Sequence, residues 1–326
     1  MKMTEPGVLA GTEVNVVIRA GDCSVTLLPA FGGKIASITI KDHELLQQPL
    51  APIAPRTRTM PFDESDASGW DECLPSVAAC SVSYAGGQAR IPDHGDLWRA
   101  EWSEQGAAIG SQAERAVMLR ADCFSLPLRL ERSVALAETP EGWRIRADYT
   151  LTNTGKAEAP WSWAAHPLFA AAAGDRIVLP ESVRTLRLEG SGGNRLGTAG
   201  DTVSWPIARL ADGAESDLSS AQPIASGIGD KLFAGPLTGD ENWCVLERPS
   251  AGVRIRMSFD TAATPYLGLW LCYGGWPEKP GPRQMCVAPE PSTAPVDSLA
   301  QSGPWSRFLK PGESFKWAMS VDFELI

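Results

Sequence analysis

The stretch Phe315-Lys-Trp-Ala-Met-Ser-Val-Asp-Phe-Glu-Leu325 decides the fold. Large apolar residues occupy every second position, and small, polar or charged residues stand between them. Successive side chains of a β-strand point to opposite faces of the sheet, so this alternation predicts a strand with one buried face. The same pattern recurs at 143–152 and at 253–260, which predicts that several such strands build the core.

The rest of the chain carries the same β signal. Strand-like runs at 13–19, 24–29, 34–40 and 44–48 are separated by turn residues, and 31 Gly and 26 Pro supply further turns. The sequence contains no long amphipathic helix, no fixed-period repeat and no βαβ alternation. These features predict an all-β fold, a large antiparallel β-sandwich formed by a single domain over residues 1–326.

Composition restricts the partners and the location. The chain of 326 residues has a net charge of −10, which opposes binding to nucleic acid. No apolar run is long enough to span a membrane, so we expect a cytoplasmic protein without a membrane partner. The seven cysteines are odd in number and lack zinc-site spacing, so we expect reduced, mostly buried thiols and no metal. We expect a monomer or a homodimer.

Two irregular stretches, 49–72 and 274–296, are predicted to be loops. The first ends with five carboxylates: Asp63, Glu64, Asp66, Asp71 and Glu72. They lack the spacing of an EF-hand, so the sequence favours a solvated acidic loop over a Ca²⁺ site. The second contains Trp276 and Glu290. Long irregular segments inside a compact domain are often functional, so we predict a functional loop there.

Few side chains are candidates for chemistry. Of the three histidines, His43 lies in a polar turn and is expected to be solvated, whereas His94 and His166 stand in distinctive contexts. Glu290 lies between two prolines, whose restricted backbone gives the carboxylate the stiff mount that a catalytic base requires. By residue type alone, each histidine is more often a hydrogen-bonded structural group, and Glu290 is more often an exposed turn residue.

Four short motifs occur in a fixed order along the chain. They are His94-Gly, then Asn153-Thr-Gly followed by His166-Pro-Leu-Phe, then Asp230 in Gly-Asp-Lys-Leu-Phe, and finally Glu290-Pro-Ser-Thr. In this order they resemble the aldose 1-epimerase family of the galactose mutarotase-like superfamily. No single motif is specific, but the ordered set is, and the resemblance covers nearly the whole chain.

The resemblance implies a β-supersandwich that binds one pyranose and interconverts its anomers, an isomerase reaction of carbohydrate metabolism. By analogy with the family, Glu290 takes the proton of the anomeric hydroxyl and His166 donates a proton to the ring oxygen. His94 supports the ring oxygen or a neighbouring hydroxyl, and Asp230 anchors hydroxyls. An acid and a base suffice, so no cofactor is expected, and the rate is expected to have a bell-shaped pH profile with a histidine on the basic limb.

The chain also departs from the family pattern. The family's Asn-Arg pair is not evident in Gly69-Trp-Asp-Glu-Cys-Leu-Pro75, and the His-Gly motif continues as Asp96-Leu-Trp-Arg99. These departures indicate a divergent subgroup with its own sugar. The predicted substrate-binding residues are Asp230, Asp71, Arg99, Trp98 and Trp276. The two tryptophans are included because an aromatic face matches the apolar face of a pyranose. Trp70 is also placed in a loop, whereas Trp143, Trp270 and Trp317 are assigned to the core.

Three functions stay open at this point. They are an anomerase for a hexose or a hexose 6-phosphate, a non-catalytic sugar-binding or regulatory protein on the same fold, and a polysaccharide-active lyase or glycosidase. Both histidines and Glu290 favour the first, and the acidic charge disfavours the third. A phosphosugar requires a basic subsite, for which the candidates are Arg56, Arg58, Arg90, Arg99, Arg195 and Arg283.

Overall fold

The computed structural model describes residues 15–105 and 115–326. Within them the strands β1 to β26 are, in chain order, Val16–Ala20, Cys23–Leu28, Lys34–Ile40, His43–Glu44, Trp70–Cys73, Cys80–Tyr84, Gly87–Ile91, Ser103–Glu104, Arg115–Asp122, Leu128–Thr139, Gly142–Asn153, Ala159–Trp161, Ala164–Pro167, Phe169–Ala170, Arg176–Val178, Thr185–Ser191, Thr202–Ser204, Ile207–Arg209, Glu215–Asp217, Ile228–Ala234, Trp243–Arg248, Val253–Phe259, Tyr266–Tyr273, Met285–Ser292, Arg307–Leu309 and Ser314–Leu325.

Helical structure in these two ranges is limited to single turns of 3₁₀ helix. They span Pro29–Phe31, Phe62–Glu64, Leu97–Arg99, Gly192–Asn194, Ile224–Ser226, Gly239–Glu241, Pro249–Ala251, Leu299–Gln301 and Gly303–Trp305. None of the described helices is long and apolar enough to cross a membrane.

Two large antiparallel sheets dominate the architecture. The twelve-stranded sheet runs β1-β2-β3-β5-β13-β24-β23-β20-β16-β17, with β4 paired to β3 and β14 to β24. The eight-stranded sheet runs β15-β21-β22-β26-β11-β10-β9-β8. Three small two-stranded sheets complete the described part of the fold: β12-β25, β18-β19 and β6-β7. The predicted all-β antiparallel sandwich is confirmed.

Buried and more exposed residues alternate along β10, β11 and β26, the long strands of the eight-stranded sheet. On β26, Trp317, Met319, Val321 and Phe323 are buried, and burying each such side chain stabilises the fold by roughly 1.5–3 kcal/mol. The residues between them face outward, where cross-strand charge pairs form, such as Arg144 Nε on β11 with Asp322 Oδ1 at 2.5 Å. The strands predicted at 143–152 and 253–260 are confirmed.

Aromatic side chains join the two sheets. The Tyr149 ring on β11 stacks on Trp317 of β26 with centroids 5.1 Å apart, and Trp163, just before β13, meets Trp317 edge-on at 5.1 Å. Such pairs contribute about 0.5–1.5 kcal/mol each beyond the area they bury. Side chains of both sheets belong to one continuous hydrophobic core, so the two layers pack as a sandwich.

The opening meander is confirmed at β2 and β3, and the run predicted at 44–48 is reduced to the short β4. Residues 13 and 14 lie outside the described residues. The predicted loop 274–296 is wrong in its second half, because Met285–Ser292 forms β24 in the middle of the twelve-stranded sheet. The prolines that indicated a loop there lie inside a strand.

Candidate active site

A cleft of about 280 Å³ opens on the twelve-stranded sheet, above β13, β24, β23 and β20. This is close to the lower end of the range for small-molecule sites, roughly 300–1,000 Å³. Its lining comes from four central strands and from the loops that follow β4, β5, β7, β23 and β24. The lining residues are Phe62, Asp63, Val77, Ala78, Asp93, His94, His166, Lys231, Trp270, Trp276, Gln284, Glu290 and Asp297.

Glu290 lies on β24 at the floor of the cleft and is 0% exposed. Its strand pairs continuously with β23 on one side. On the other side the ladder is interrupted between Val287, which pairs with β14, and Ser292, which pairs with β13. Pro289 and Pro291 fall within this gap, and prolines are tolerated inside a sheet where no ladder hydrogen bond is required. The carboxylate is therefore mounted on a strand rather than on a loop.

His166 comes from the neighbouring strand β13 and lies opposite Glu290. Ala164 pairs with Ser292, and His166 lies two residues after Ala164 whereas Glu290 lies two residues before Ser292, which in antiparallel strands brings His166 and Glu290 level. Nε2 of His166 is 3.9 Å from Oε1 of Glu290. Burial lowers the pKa of His166 well below 6.5, and the nearby His94 and Lys231 lower it further. His166 is therefore a neutral imidazole at neutral pH.

His94 reaches the cleft from the loop after β7. Its backbone φ is +57°, in the left-handed region that histidine adopts more readily than most residues. The ring stacks on Phe62 with centroids 3.6 Å apart, and Nδ1 lies 2.9 Å from Oδ2 of Asp93. The ring centroids of His94 and His166 are 5.1 Å apart. The structure thus brings His94, His166 and Glu290 together in one cleft.

Lys231 on β20 makes an ion pair with Glu290. Its Nζ donates a hydrogen bond to Oε2 of Glu290 and lies 3.7 Å from Oδ1 of Asp297. Burial by itself lowers the pKa of Lys231, but Asp297 and Glu290 raise it to about 12. Burial raises the pKa of Glu290, and the cation of Lys231 opposes that rise. Oε1 of Glu290 makes no hydrogen bond to any residue that the structure describes.

A glycine lies beside Glu290 on the neighbouring strand. Gly268 of β23 lies between Glu290 and Phe233 in the ladders, one strand from each. A Cβ at this position would be 3.2 Å from Cβ of Glu290 and 3.2 Å from the Phe233 ring. An added side chain would therefore crowd both neighbours, and glycine lets the strands pack closely beside Glu290.

Three aromatic residues form the apolar part of the cleft: Phe62, Trp270 and Trp276. Trp276 was predicted to lie here, whereas Trp270 was assigned to the core. Trp98 does not line the cleft. It is 0% exposed and packs edge-on behind Phe62 at 5.2 Å, with the Arg99 guanidinium 4.0 Å from its ring centroid. Trp70 is likewise buried, in β5, rather than in a loop.

Asp230 is not a sugar-facing residue in the structure. It is 0% exposed and lies on the face of β20 opposite Lys231, because neighbouring side chains of a strand alternate. Its carboxylate accepts hydrogen bonds from Arg195 Nη2 at 2.5 Å and from Ser191 Oγ at 2.6 Å. Lys231, the next residue in the chain, occupies the position in the cleft that was assigned to Asp230.

Asp71 and Arg99 also lie outside the cleft. Asp71 pairs with His166 in the β5–β13 ladder, but its Oδ2 accepts a hydrogen bond from Lys34 Nζ at 2.7 Å and the side chain is covered. Arg99 is 6% exposed, and its Nη1 donates to the carbonyl oxygens of Asp93 and Gly95 at 2.7 Å. It therefore fixes the loop that carries His94 instead of contacting a ligand.

The acidic stretch 63–72 is solvated only at its start: Asp63 and Glu64 are exposed, whereas its other three carboxylates are buried. Asp66 pairs with Lys34 and Arg56, and these cations hold its pKa below the usual range against the effect of burial. Glu72 is fully buried in β5. Among the described residues there is no cluster of three or more side chains able to hold a metal ion.

Sequence reasoning missed Lys231, Asp297 and Phe62. Asp297 follows β24 just beyond the predicted loop 274–296, and Phe62 lies in a proline-rich segment. No short pattern marks any of them, because each reaches the cleft through the tertiary packing. Lys231 had one signal: a lysine in a mostly apolar strand needs a partner for its charge if it is buried.

No protein-family model matches the chain, and no curated protein matches it by sequence. Its structure is similar to that of a protein from Synechocystis sp., with a TM-score of 0.70 and 16% identity over 99% of this chain and 100% of that one. It is similar to a galactose mutarotase-like protein from Clostridium acetobutylicum, with a TM-score of 0.66 and 14% identity over 98% of each chain. An aldose epimerase homologue from C. elegans gives 0.63 and 12%, over 97% of this chain and 100% of that one.

Proposed function

We propose that this chain, which has the galactose mutarotase-like fold, interconverts the α and β anomers of a neutral hexose or a related sugar. The observation that carries the proposal is the juxtaposition of Glu290 Oε1 and His166 Nε2, 3.9 Å apart on the floor of the cleft. A buried carboxylate and a neutral imidazole supply a base and a proton donor on the scale of one sugar ring.

The mechanism uses only these two groups for proton transfer. Oε1 of Glu290 takes the proton of the anomeric hydroxyl while the bond between the anomeric carbon and the ring oxygen breaks. An N–H of His166 gives its proton to that ring oxygen as negative charge develops there, and the imidazolate so formed takes the proton back on reclosure. Rotation about the adjacent carbon–carbon bond and reclosure, with the two proton transfers reversed, give the other anomer. His94 lies close enough to His166 to hydrogen-bond the ring oxygen or a neighbouring hydroxyl.

The aromatic lining supports a sugar as the ligand. Trp270 and Trp276 offer flat apolar faces, while Gln284 and the carboxylates offer hydrogen-bonding groups. Pyranoses have this combination of an apolar face and a hydroxylated edge. The direct test is to dissolve single-anomer sugars freshly and to follow the approach to anomeric equilibrium by NMR. Equilibration no faster than without protein, for every neutral sugar that binds, would favour the non-catalytic binding function.

The pH profile is the first prediction. Because burial raises the pKa of Glu290, the rate is expected to rise with pH through one ionisation above the usual 4.5 of a glutamate. Because His166 is already neutral, its ionisation is not expected to make the rate fall between pH 6 and 8. This replaces the bell-shaped profile expected from the sequence. The measurement is the anomerisation rate minus the spontaneous rate at each pH, and a fall between pH 6 and 8 would contradict it.

The charge of the cleft predicts discrimination against phosphorylated sugars. Among the described residues that line it, four are carboxylates, namely Asp63, Asp93, Glu290 and Asp297, and one is a lysine, Lys231, which is already paired. None of the six arginines considered for a phosphate subsite is a lining residue. Repulsion without a compensating cation is expected to lower kcat/KM for a hexose 6-phosphate by about tenfold or more relative to the free hexose.

The matched comparison is the 6-O-methyl ether of the same hexose, which adds bulk without charge. We expect it to be turned over better than the 6-phosphate. If the phosphate ester is the better substrate of the three, the assignment to neutral sugars is wrong and the hexose 6-phosphate function takes its place.

A further inference from the structure

We infer that Lys231 is a positioning residue for the proposed reaction: its ammonium keeps the Glu290 carboxylate ionised and leaves Oε1 turned toward His166. The inference rests on the proposed function. It assigns no contact with the sugar to Lys231, which acts only through Glu290.

The geometry divides the two oxygens of Glu290 between two tasks. Oε2 accepts the hydrogen bond from Lys231 Nζ, whereas Oε1 faces His166 Nε2 at 3.9 Å and has no hydrogen bond within the described part of the chain. A carboxylate fixed at one oxygen has lost its freedom to rotate, so the other oxygen stays in register with a proton that it is to take.

Lys231 is itself held from the far side. Asp297 Oδ1 lies 3.7 Å from Nζ, and Asp297 is fixed through its backbone, whose N–H donates to Oε1 of Glu189 at 3.1 Å. The Asp297 carbonyl oxygen accepts hydrogen bonds from the backbone N–H groups of Val77 and Ala78 at 3.0 and 2.9 Å. The ammonium therefore has a defined position between two carboxylates.

Glu290 needs this cation because it is buried. Without a counter-charge, a carboxylate at 0% exposure takes up a proton near neutral pH, and a protonated glutamate is not a base. The titratable groups that face Glu290 or interact with its charge come from several packed elements. They are Lys231, Asp297, His94, His166, Cys73 and Cys286. Of these, Lys231 is the one that carries a positive charge throughout the neutral range, with a pKa of about 12.

The test is the Lys231→Met variant, which keeps an unbranched side chain only one atom shorter and removes its charge. Removing the cation in direct contact with Glu290 is expected to raise the pKa of that carboxyl. The acid limb of the pH–rate profile, where the rate rises with pH, should then move upward by about 1 to 3 pH units. At pH 7 the rate is then expected to fall roughly tenfold or more and to recover at higher pH. Lys231→Arg retains the charge and should keep the limb close to its original position.

Asp297→Asn is expected to shift the acid limb of the pH–rate profile in the opposite direction. The Asp297 carboxylate raises the pKa of Glu290, so its removal should move the acid limb to lower pH. Lys279→Met is the matched control, since this exposed lysine donates only to the backbone oxygen of Asp63 at the rim and its loss should leave the limb in place. A merely structural role for Lys231 predicts an equal loss at every pH with an unmoved limb, and that result would overturn the inference.

A second readout separates this inference from the proposed function. The infrared carboxyl band that is present in the parent protein and missing in Glu290→Gln reports the ionisation of Glu290 without any sugar. Its titration should shift upward in Lys231→Met, even in a protein that turns over no sugar. An unshifted band overturns the inference, whereas a shifted band without anomerisation supports the pairing and contradicts only the proposed function. If Lys231→Met does not fold, Lys231→Arg and Asp297→Asn carry the test.

Discussion

Replacement of Glu290 by glutamine is expected to slow the proposed anomerisation by roughly 10²-fold or more, with little change in sugar binding. Glutamine keeps the size of the side chain and its hydrogen-bonding shape but cannot take a proton from the anomeric hydroxyl. His166→Asn should cost a similar factor, because it removes the donor to the ring oxygen. Rates come from NMR on single anomers, and binding from calorimetry on the same samples.

The double variant tests whether the two groups act together. If both protons move in one step, Glu290→Gln with His166→Asn should be little worse than the slower single variant. Glu278→Gln and His43→Asn are the matched controls, since both residues are exposed and neither lines the cleft. Full activity in a folded Glu290→Gln protein that binds sugar would remove Glu290 from the reaction.

The second large effect is expected on stability, at Arg132. This residue on β10 is 0% exposed, and its Nη1 donates to Oε1 of Glu72 at 2.9 Å. Glu72 also accepts hydrogen bonds from the Tyr149 hydroxyl at 3.0 Å and from Trp163 Nε1 at 2.9 Å. Arg132→Met leaves the Glu72 carboxylate buried without a cation, which should lower the free energy of unfolding by about 3–5 kcal/mol.

Urea unfolding of the purified variants measures this loss. Arg129→Met on the same strand is the control, because Arg129 pairs with Asp122 on the surface and such pairs contribute about 0–1 kcal/mol. Adding Glu72→Gln to Arg132→Met removes the second charge and should recover part of the lost stability. If Arg129→Met and Arg132→Met lower the free energy of unfolding equally, the buried Glu72–Arg132 pair contributes no more to stability than a surface pair, and the prediction is wrong.

The antiparallel sandwich was predictable because its signal is local. A strand with one solvated face shows its alternation directly in the sequence, as 315–325 does, and the buried residues of β26 are those that the pattern selects. The order of the motifs also selected His94, His166 and Glu290, which the structure brings together. What the pattern could not supply was the kind of element under Glu290, since its two prolines are tolerated only because the neighbouring ladder has a gap there.

The sequence by itself therefore determined the β-sandwich class and the three side chains of the proposed acid–base site. Only the tertiary structure decided that Lys231 faces the cleft and Asp230 does not. Almost every residue of β20 is buried, so hydrophobicity does not distinguish its two faces, and one residue of register exchanges them. The same limit applies to Trp98 and Trp270. A tryptophan in the sequence is expected to be largely buried, but the packing of distant strands decides whether it lies in the hydrophobic core or lines the cleft.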